Sequence, residues 1–422
     1  MIFLLAVGLR GGWWGFQCAR GASDVPAVLL PDEAQYLMMA RTWRESGEFR
    51  DELGFRAGRM PLYPSFVALI GGRQVDPARV RVAQWIVGGL SAVLAASLGT
   101  ALLGSRVGVS AGLLVAADPY LVHFSSLILT ETLFIAMMLL TWRLALSVRP
   151  GASIGWREVL VGAAAAAMIY VREAGLAFAL ALLMSRGFVC RRDRRSWARS
   201  AAASAVIAVC LAPWAMYNYA RFDGWVPLTT RGGITLYDGV GPQADGSSDL
   251  GDVKRSAEVE VFVLRGDEVA WDRYFREAAV RCMLEDPLRV MRLAWEKLRR
   301  TWNLVPNLEE GRGGATLVVS AVWTSGIYAL AAVGAWLLMR GRSEVGSLPG
   351  STSACSEQSG RAIVVLLLTP AAVVTLMHAV LVGSIRYRLP AMPMLEMLAA
   401  FAICRIVSRI GTESSAKEIE SA

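Results

Sequence analysis

Long apolar runs separated by short charged stretches organise the chain. A helix needs about 20 apolar residues to cross the hydrocarbon core of a bilayer. Segments 82–103, 313–339 and 362–385 carry no charge, and 200–220 is interrupted only by Pro213. Shorter or less uniform runs lie at 2–19, 107–122, 130–147, 159–171, 174–188 and 389–406. Together they predict about ten membrane-crossing helices. Asp118-Pro119 should break the third, Pro213-Trp214 the seventh near its outer end, and Pro390 and Pro393 the start of the tenth. Only nine residues precede Arg10, which as helix span about 14 Å. Arg10 is therefore expected inside the membrane, unless the true start lies upstream. No basic stretch precedes this run, so a cleaved signal peptide is not expected.

Arginine counts set the orientation, because short cytoplasmic loops are enriched in basic residues. Residues 186–199 hold Arg186, Arg191, Arg192, Arg194, Arg195 and Arg199 against Asp193 alone. With that loop inside, residues 20–78 and 221–312 fall outside, and both termini and 340–361 fall inside. The predicted organisation is a transmembrane region 1–220 with its outer loop 20–78, an extracytoplasmic subdomain 221–312, C-terminal transmembrane helices 313–410 and a cytoplasmic tail 411–422. The cell membrane is the expected location, the inner one where there are two, with the candidate site facing the periplasm or exterior.

Composition agrees. Hydrophobic residues make up 55% of the 422 positions and charged residues 18%, against roughly 25% charged in soluble domains. Soluble, disordered, collagen-like and coiled-coil classes are excluded. The net charge of +8 suits cytoplasmic loops and lipid headgroups better than nucleic acid. Three of the 43 basic residues are lysines, and the six cysteines form no CxxC pair.

The candidate chemistry sits at span ends. Asp32 and Glu33 lie in the first outer loop. Glu131 opens the fourth span, Arg172 and Glu173 close the fifth, Asn218 and Arg221 close the seventh, and Arg386 and Arg388 follow the ninth. All of these ends fall outside. Ionisable groups at membrane depth are costly and usually functional. Each group also has a plainer reading. Asp32 with Gln35 three residues on matches a capping box for a helix running to Ser46, with Gly47 as its stop. Arg59, in Gly58-Arg59-Met60-Pro61-Leu62-Tyr63-Pro64, could be a headgroup anchor or a phosphate contact. Glu131 could be a polar helix start, and Arg172-Glu173 an interfacial ion pair. His123 and His378, the only histidines, read better as packed side chains than as metal ligands. Helix 287–302, started by Asp286 and Pro287, sets Leu288, Met291, Trp295, Leu298 and Trp302 on one apolar stripe, as a helix at the membrane interface would. If the Arg386-Tyr387-Arg388 stretch is extended, both arginines point the same way.

In this order the pieces resemble the GT-C superfamily of membrane glycosyltransferases, in the branch of protein O-mannosyltransferases and aminoarabinose transferases (family 39-like). The carriers are Asp32-Glu33-Ala34-x-Tyr36, Arg59-x-Pro61-x-Tyr63-Pro64 and Thr130-Glu131-x-x-Phe134. They continue with Arg172-Glu173, Pro213-Trp214 through Asn218, Arg386-Tyr387-Arg388-Leu389-Pro390 and the helix 287–302. The resemblance covers most of residues 10–405. It implies an all-α membrane fold and transfer of a sugar from a polyprenyl-phosphate donor to an acceptor hydroxyl at the outer face. It implies Asp32 as catalytic base, with Glu33 beside it. Donor contacts would come from Tyr36, Arg59, Tyr63, Glu131, Arg172, Glu173, His378, Arg386, Tyr387 and Arg388. The acceptor is left open between glycan, lipid and protein, and so is a divalent metal. The rival readings are a transporter or flippase of an anionic or lipid-linked substrate, and a polysaccharide ligase or polymerase.

Overall fold

The computed structural model describes residues 1–21, 30–146, 154–189, 194–248, 257–307, 314–340 and 360–420. Its helices, in chain order, begin with α1 (Ile2–Gly21), α2 (Pro31–Ser46), α3 (Leu62–Gly71), α4 (Pro77–Leu103), α5 (Ser105–Ala117), α6 (Pro119–Phe124) and α7 (Glu131–Leu146). Next come α8 (Trp156–Val171), α9 (Gly175–Val189), α10 (Arg194–Phe222), α11 (Gly232–Val240), α12 (Ala257–Arg265), α13 (Glu268–Glu285) and α14 (Pro287–Thr301). The chain closes with α15 (Gly314–Arg340), α16 (Gly360–Val380), a 3₁₀ turn (Ile385–Ala391) and α17 (Met392–Glu420). Among the described residues there is no strand, and the all-α reading holds.

Every predicted span has a helix at its place. By length and apolarity, α4, α10, α15, α16 and the stretch Ile385–Ile410 qualify as membrane-crossing. The other predicted spans are helices of 13 to 20 residues. The third is broken where expected: Asp118 ends α5 and caps α6, accepting the Leu121 N–H at 2.7 Å. The seventh is not broken, because Pro213 lies inside a continuous α10. A proline in an apolar helix is tolerated where neighbours satisfy the freed carbonyl. The ninth stops early, at Val380, and the tenth begins with the 3₁₀ turn holding Pro390. Of the loops expected inside, residues 190–193 and 341–359 lie outside the described residues.

One apolar core runs through the bundle, with α4 packed on α1, α5 and α7, α8 on α7 and α10, and α15 on α17. Arg10 is buried inside it, donating to the carbonyls of Ala6 (2.9 Å) and Ala116 (3.3 Å). The Trp323 indole N–H reaches Asp118 Oδ2 at 3.0 Å. Arg143 donates to Ser97 Oγ at 2.8 Å. These interior polar groups tie helices to one another.

Among the described residues of 226–248 and 257–301, α11 and α13 pack against each other beside the bundle. Their small core of Ile234, Trp271 and Phe275 includes Phe55, from the segment between α2 and α3. Gly233 allows α11 to lie on α13; a Cβ there would stand 1.9 Å from the Asp272 carbonyl oxygen. The predicted start of α14 is correct, with Asp286 accepting the Arg289 N–H at 2.8 Å. Its predicted stripe divides. Leu288, Met291 and Trp295 are exposed, whereas Leu298 is half-buried and Trp302 turns inward, its indole N–H donating to Thr375 Oγ1 at 3.2 Å. The cause is contact with α16, which covers the end of the stripe.

Lys297, on the covered side of α14, is fully buried and donates to the Val380 carbonyl at 2.6 Å, at the C-terminus of α16. Burial, helped by Arg289, pulls its ammonium down to about 8. The folded chain sheds that proton near pH 8, whereas an unfolded lysine keeps it to about 10.4. The unfolded state binds more protons in that window, so stability rises with pH there. Thermal midpoints in detergent should climb between pH 8 and 10. Lys297→Met should flatten the climb, and an unchanged slope would show that Lys297 is not its source.

Candidate active site

Helix α2 starts at an extended Leu30, and Glu33 closes the capping box by accepting the Leu30 N–H at 3.0 Å. Asp32 is not the cap. Gly47 ends the helix in the left-handed region, φ 75°, with its N–H on the Trp43 carbonyl at 2.8 Å. Glu33 is fully buried, and its second oxygen accepts the Ile128 N–H at 2.8 Å and lies 3.6 Å from Arg81. One oxygen therefore caps α2, and the other ties α2 to the segment before α7. The capping job done by Glu33 leaves Asp32 free to face the rim.

Asp32 bridges two guanidiniums. Arg59 donates to Oδ1 at 3.0 Å and Arg386 to Oδ2 at 2.7 Å. Arg386 also donates through Nε to Glu131 Oε1 at 2.5 Å, and Arg172 reaches the same oxygen at 3.2 Å. The result is a chain of alternating charge, Arg59–Asp32–Arg386–Glu131–Arg172. It is drawn from the start of α2, the segment before α3, the start of α7, the end of α8 and the 3₁₀ turn. Burial pushes the Asp32 carboxyl up, but Arg59 and Arg386 outweigh it and hold it well below the usual carboxylate range. Asp32 is thus ionised at any physiological pH. The Glu131 carboxylate is buried, and its Oε2 has no hydrogen-bond partner among the described residues.

The other predicted residues divide into those that join this chain and those that do not. The Arg172 guanidinium lies 5.2 Å from the Tyr387 ring centre, and Tyr387 stacks on His378 at 4.4 Å. His378 Nδ1 is 2.7 Å from the Val382 carbonyl oxygen. Tyr36 lies beneath Arg59 at 5.4 Å and meets Tyr63 edge-on at 4.7 Å. Tyr63 is buried a layer below, donating to Gln84 Oε1 at 2.6 Å. Arg388 points elsewhere: it donates to the Asn303 carbonyl and to Thr324 Oγ1 (3.3 Å), with Tyr120 4.9 Å from its guanidinium. The expected extended geometry for Arg386 and Arg388 is replaced by a 3₁₀ turn. At three residues per turn, positions two apart diverge. Asn218 and Trp214 also stand off the site, tying α10 to the carbonyls of Val226 (3.0 Å) and Leu228 (2.7 Å).

The sequence reading missed Arg231 and the second role of Gln35. Gln35 Oε1 accepts from Arg59 at 2.8 and 3.0 Å and from Arg231 at 3.2 Å. Burial and the adjacent Arg59 pull the Arg231 guanidinium down. The residue pattern around Arg231 carries no period or motif; the one available signal is its place in a loop predicted to lie outside.

Beside the charged chain a groove of about 400 Å³ opens between α9 and α16. Arg172, Glu173, Tyr387 and His378 line one part of it, and apolar side chains such as Leu176 and Met377 line the rest. An anionic head on an apolar tail matches such a lining. A divalent cation fits less well. Among the described residues no three His, Cys, Asp or Glu side chains gather as ligands, and guanidiniums already neutralise Asp32 and Glu131.

Residues 63–217 match the family of dolichyl-phosphate-mannose-protein mannosyltransferases. The oligosaccharyltransferase AglB from Archaeoglobus fulgidus, solved with an inhibitory peptide and a dolichol-phosphate, aligns over 99% of this chain at 13% identity and TM-score 0.59. Its apo form gives 14% identity and TM-score 0.60 over 99%. The chain spans about half of that protein, 51%. ArnT from Cupriavidus metallidurans, bound to undecaprenyl phosphate, aligns over 90% of this chain and 74% of its own at 16% identity and TM-score 0.43. No curated protein sequence matches. The GT-C fold that the motifs implied is borne out.

Proposed function

We propose that this chain, a membrane protein of GT-C fold, transfers a sugar from a polyprenyl-phosphate donor to an acceptor hydroxyl at the outer face of the cell membrane. The observation that carries the reading is one arrangement: a chain of ion pairs that holds the Asp32 carboxylate between guanidiniums and ends in Arg172, which lines an apolar groove. The lipid chain would lie in the groove, and its phosphate would meet Arg172, Arg386 and Arg59. The acceptor oxygen attacks the anomeric carbon, and Asp32 takes the hydroxyl proton. The bond from that carbon to the phosphate oxygen breaks, and polyprenyl phosphate leaves with the electron pair. Fixed guanidiniums stabilise the growing charge without reorganisation.

The resting site makes Asp32 a weak base. A phosphate binds guanidinium bidentately, so donor entry competes with Asp32 for Arg386 and Arg59. As the phosphate draws these guanidiniums away, the basicity of Asp32 rises, and the base gains strength once the donor is seated. Glu33, with its oxygens committed to backbone N–H groups, is the helix anchor in this reading. Arg231 and Gln35 join Arg59 as positioning groups. Of the interior groups that a transporter could use, Asp118 and Arg143 serve as packing ties, and Glu396 is fully buried beneath the rim; the rival transporter reading has less support.

The test is transfer from a panel of polyprenyl-phosphate sugars in sealed right-side-out and inverted vesicles. Transfer is expected only where the rim faces the added substrates. Orientation is read from Ala198→Cys and Ser248→Cys, both at exposed positions. An impermeant thiol reagent should label the second and not the first in intact cells. The reverse labelling would overturn the sidedness. Lipid translocation without transfer would favour the flippase.

A further inference from the structure

Glu268 lies at the first turn of α13, in the outer subdomain, and is buried with 2% of its surface exposed. Among the described residues its carboxylate has no ammonium or guanidinium on it; its hydrogen bonds come from neutral groups. Oε1 accepts the Arg56 N–H at 2.9 Å, and Oε2 accepts the Ala57 N–H at 3.0 Å and the Thr230 hydroxyl at 2.7 Å. Burial pushes this carboxyl up, and the three donors pull it back. A buried charge of this kind costs free energy that its hydrogen bonds must offset. What it holds explains its place. The Ala57 carbonyl also accepts the Thr230 N–H at 3.0 Å. Two residues beyond Ala57 stands Arg59, and one residue beyond Thr230 stands Arg231. Their guanidiniums converge on Gln35 Oε1. Between Ala57 and Arg59, Gly58 leaves no room for a side chain, since a Cβ would stand 2.7 Å from Asp51 Oδ2.

We infer that Glu268 is a positioning residue that fixes the spacing of the two chain segments carrying Arg59 and Arg231, and so aims Arg59 at Asp32. Two carboxylate oxygens can take three donors at once; no neutral side chain of that size does so without adding N–H or O–H groups of its own. The inference rests on the glycosyltransferase reading for its kinetic consequence, and on geometry alone for the latch.

The test uses the full-length protein with Glu268→Gln, and Thr230→Val as a milder variant that removes one donor. Glu268→Gln should raise the donor KM roughly tenfold, the scale of a hydrogen bond lost to a charged group, with kcat nearly unchanged. Thr230→Val should move KM the same way by less. In an Arg59→Lys background Glu268→Gln should add less than about twofold, because coupled residues are non-additive. Amide exchange at Arg56 and Ala57 should quicken in both variants. Equal KM factors in both backgrounds, or unchanged exchange at these amides, would overturn the inference. If the wild-type chain transfers no sugar from any donor, the glycosyltransferase reading fails. Amide exchange and affinity for undecaprenyl phosphate, compared across the same variants, then decide the latch by themselves.

Discussion

Asp32→Asn should abolish most transfer while leaving the chain folded. The expected loss is roughly 10²–10⁴-fold in rate, the usual scale for removing a general base. Folding should survive because Leu30 and Glu33, not Asp32, form the start of α2. Asn is also nearly the same shape, and its oxygen can still accept from one guanidinium. What it cannot do is take a proton. Glu33→Gln is the informative partner. An amide at Glu33 keeps one acceptor oxygen and loses the other, so either the Leu30 or the Ile128 N–H loses its partner. That cost, about 1–3 kcal/mol for a buried unmet donor, falls on stability. Glu33→Gln should thus lower the melting temperature while keeping the rate per folded molecule. The measurement is initial rate normalised to monodisperse protein in detergent. A wild-type rate for Asp32→Asn would remove Asp32 as the base.

Arg386→Lys should cost roughly 10- to 100-fold in kcat/KM, although it preserves the charge. Arg386 spans two carboxylates at once, Nε on Glu131 and NH1 on Asp32. An ammonium is a point donor and cannot reproduce that fork. A charge-assisted hydrogen bond contributes about 1.5–3 kcal/mol, which corresponds to that range. The loss should appear in donor KM and kcat together, since both phosphate binding and leaving-group stabilisation pass through the same fork. Arg388→Lys is the control. Arg388 is buried against Asn303, Thr324 and Tyr120 and does not join the charged chain. Its substitution should reduce stability and leave KM unaltered. A KM shift from Arg388→Lys with none from Arg386→Lys would reverse the assignment.

The sequence alone determined the helices and the rim. Bilayer thickness imposes a length on each apolar run, and the cost of burying charge drives ionisable residues to its ends. Spans and candidate site residues can therefore be read in one dimension. Local chemistry set the ends of α2 and α14 as well, because Gly47 and the Asp286-Pro287 pair act within one helical turn. Tertiary structure decided what depends on distant partners. It moved the capping role from Asp32 to Glu33, because the Ile128 N–H and Arg81 both draw Glu33 inward. It kept α10 whole through Pro213, and it turned Arg386 and Arg388 apart by winding their segment into a 3₁₀ turn. It brought Arg231 to Gln35 across 196 positions. No local pattern can encode that pairing, because it joins α2 to a segment that reaches it only through the packing of α11 on α13 and the bonds of Glu268 to Arg56 and Ala57.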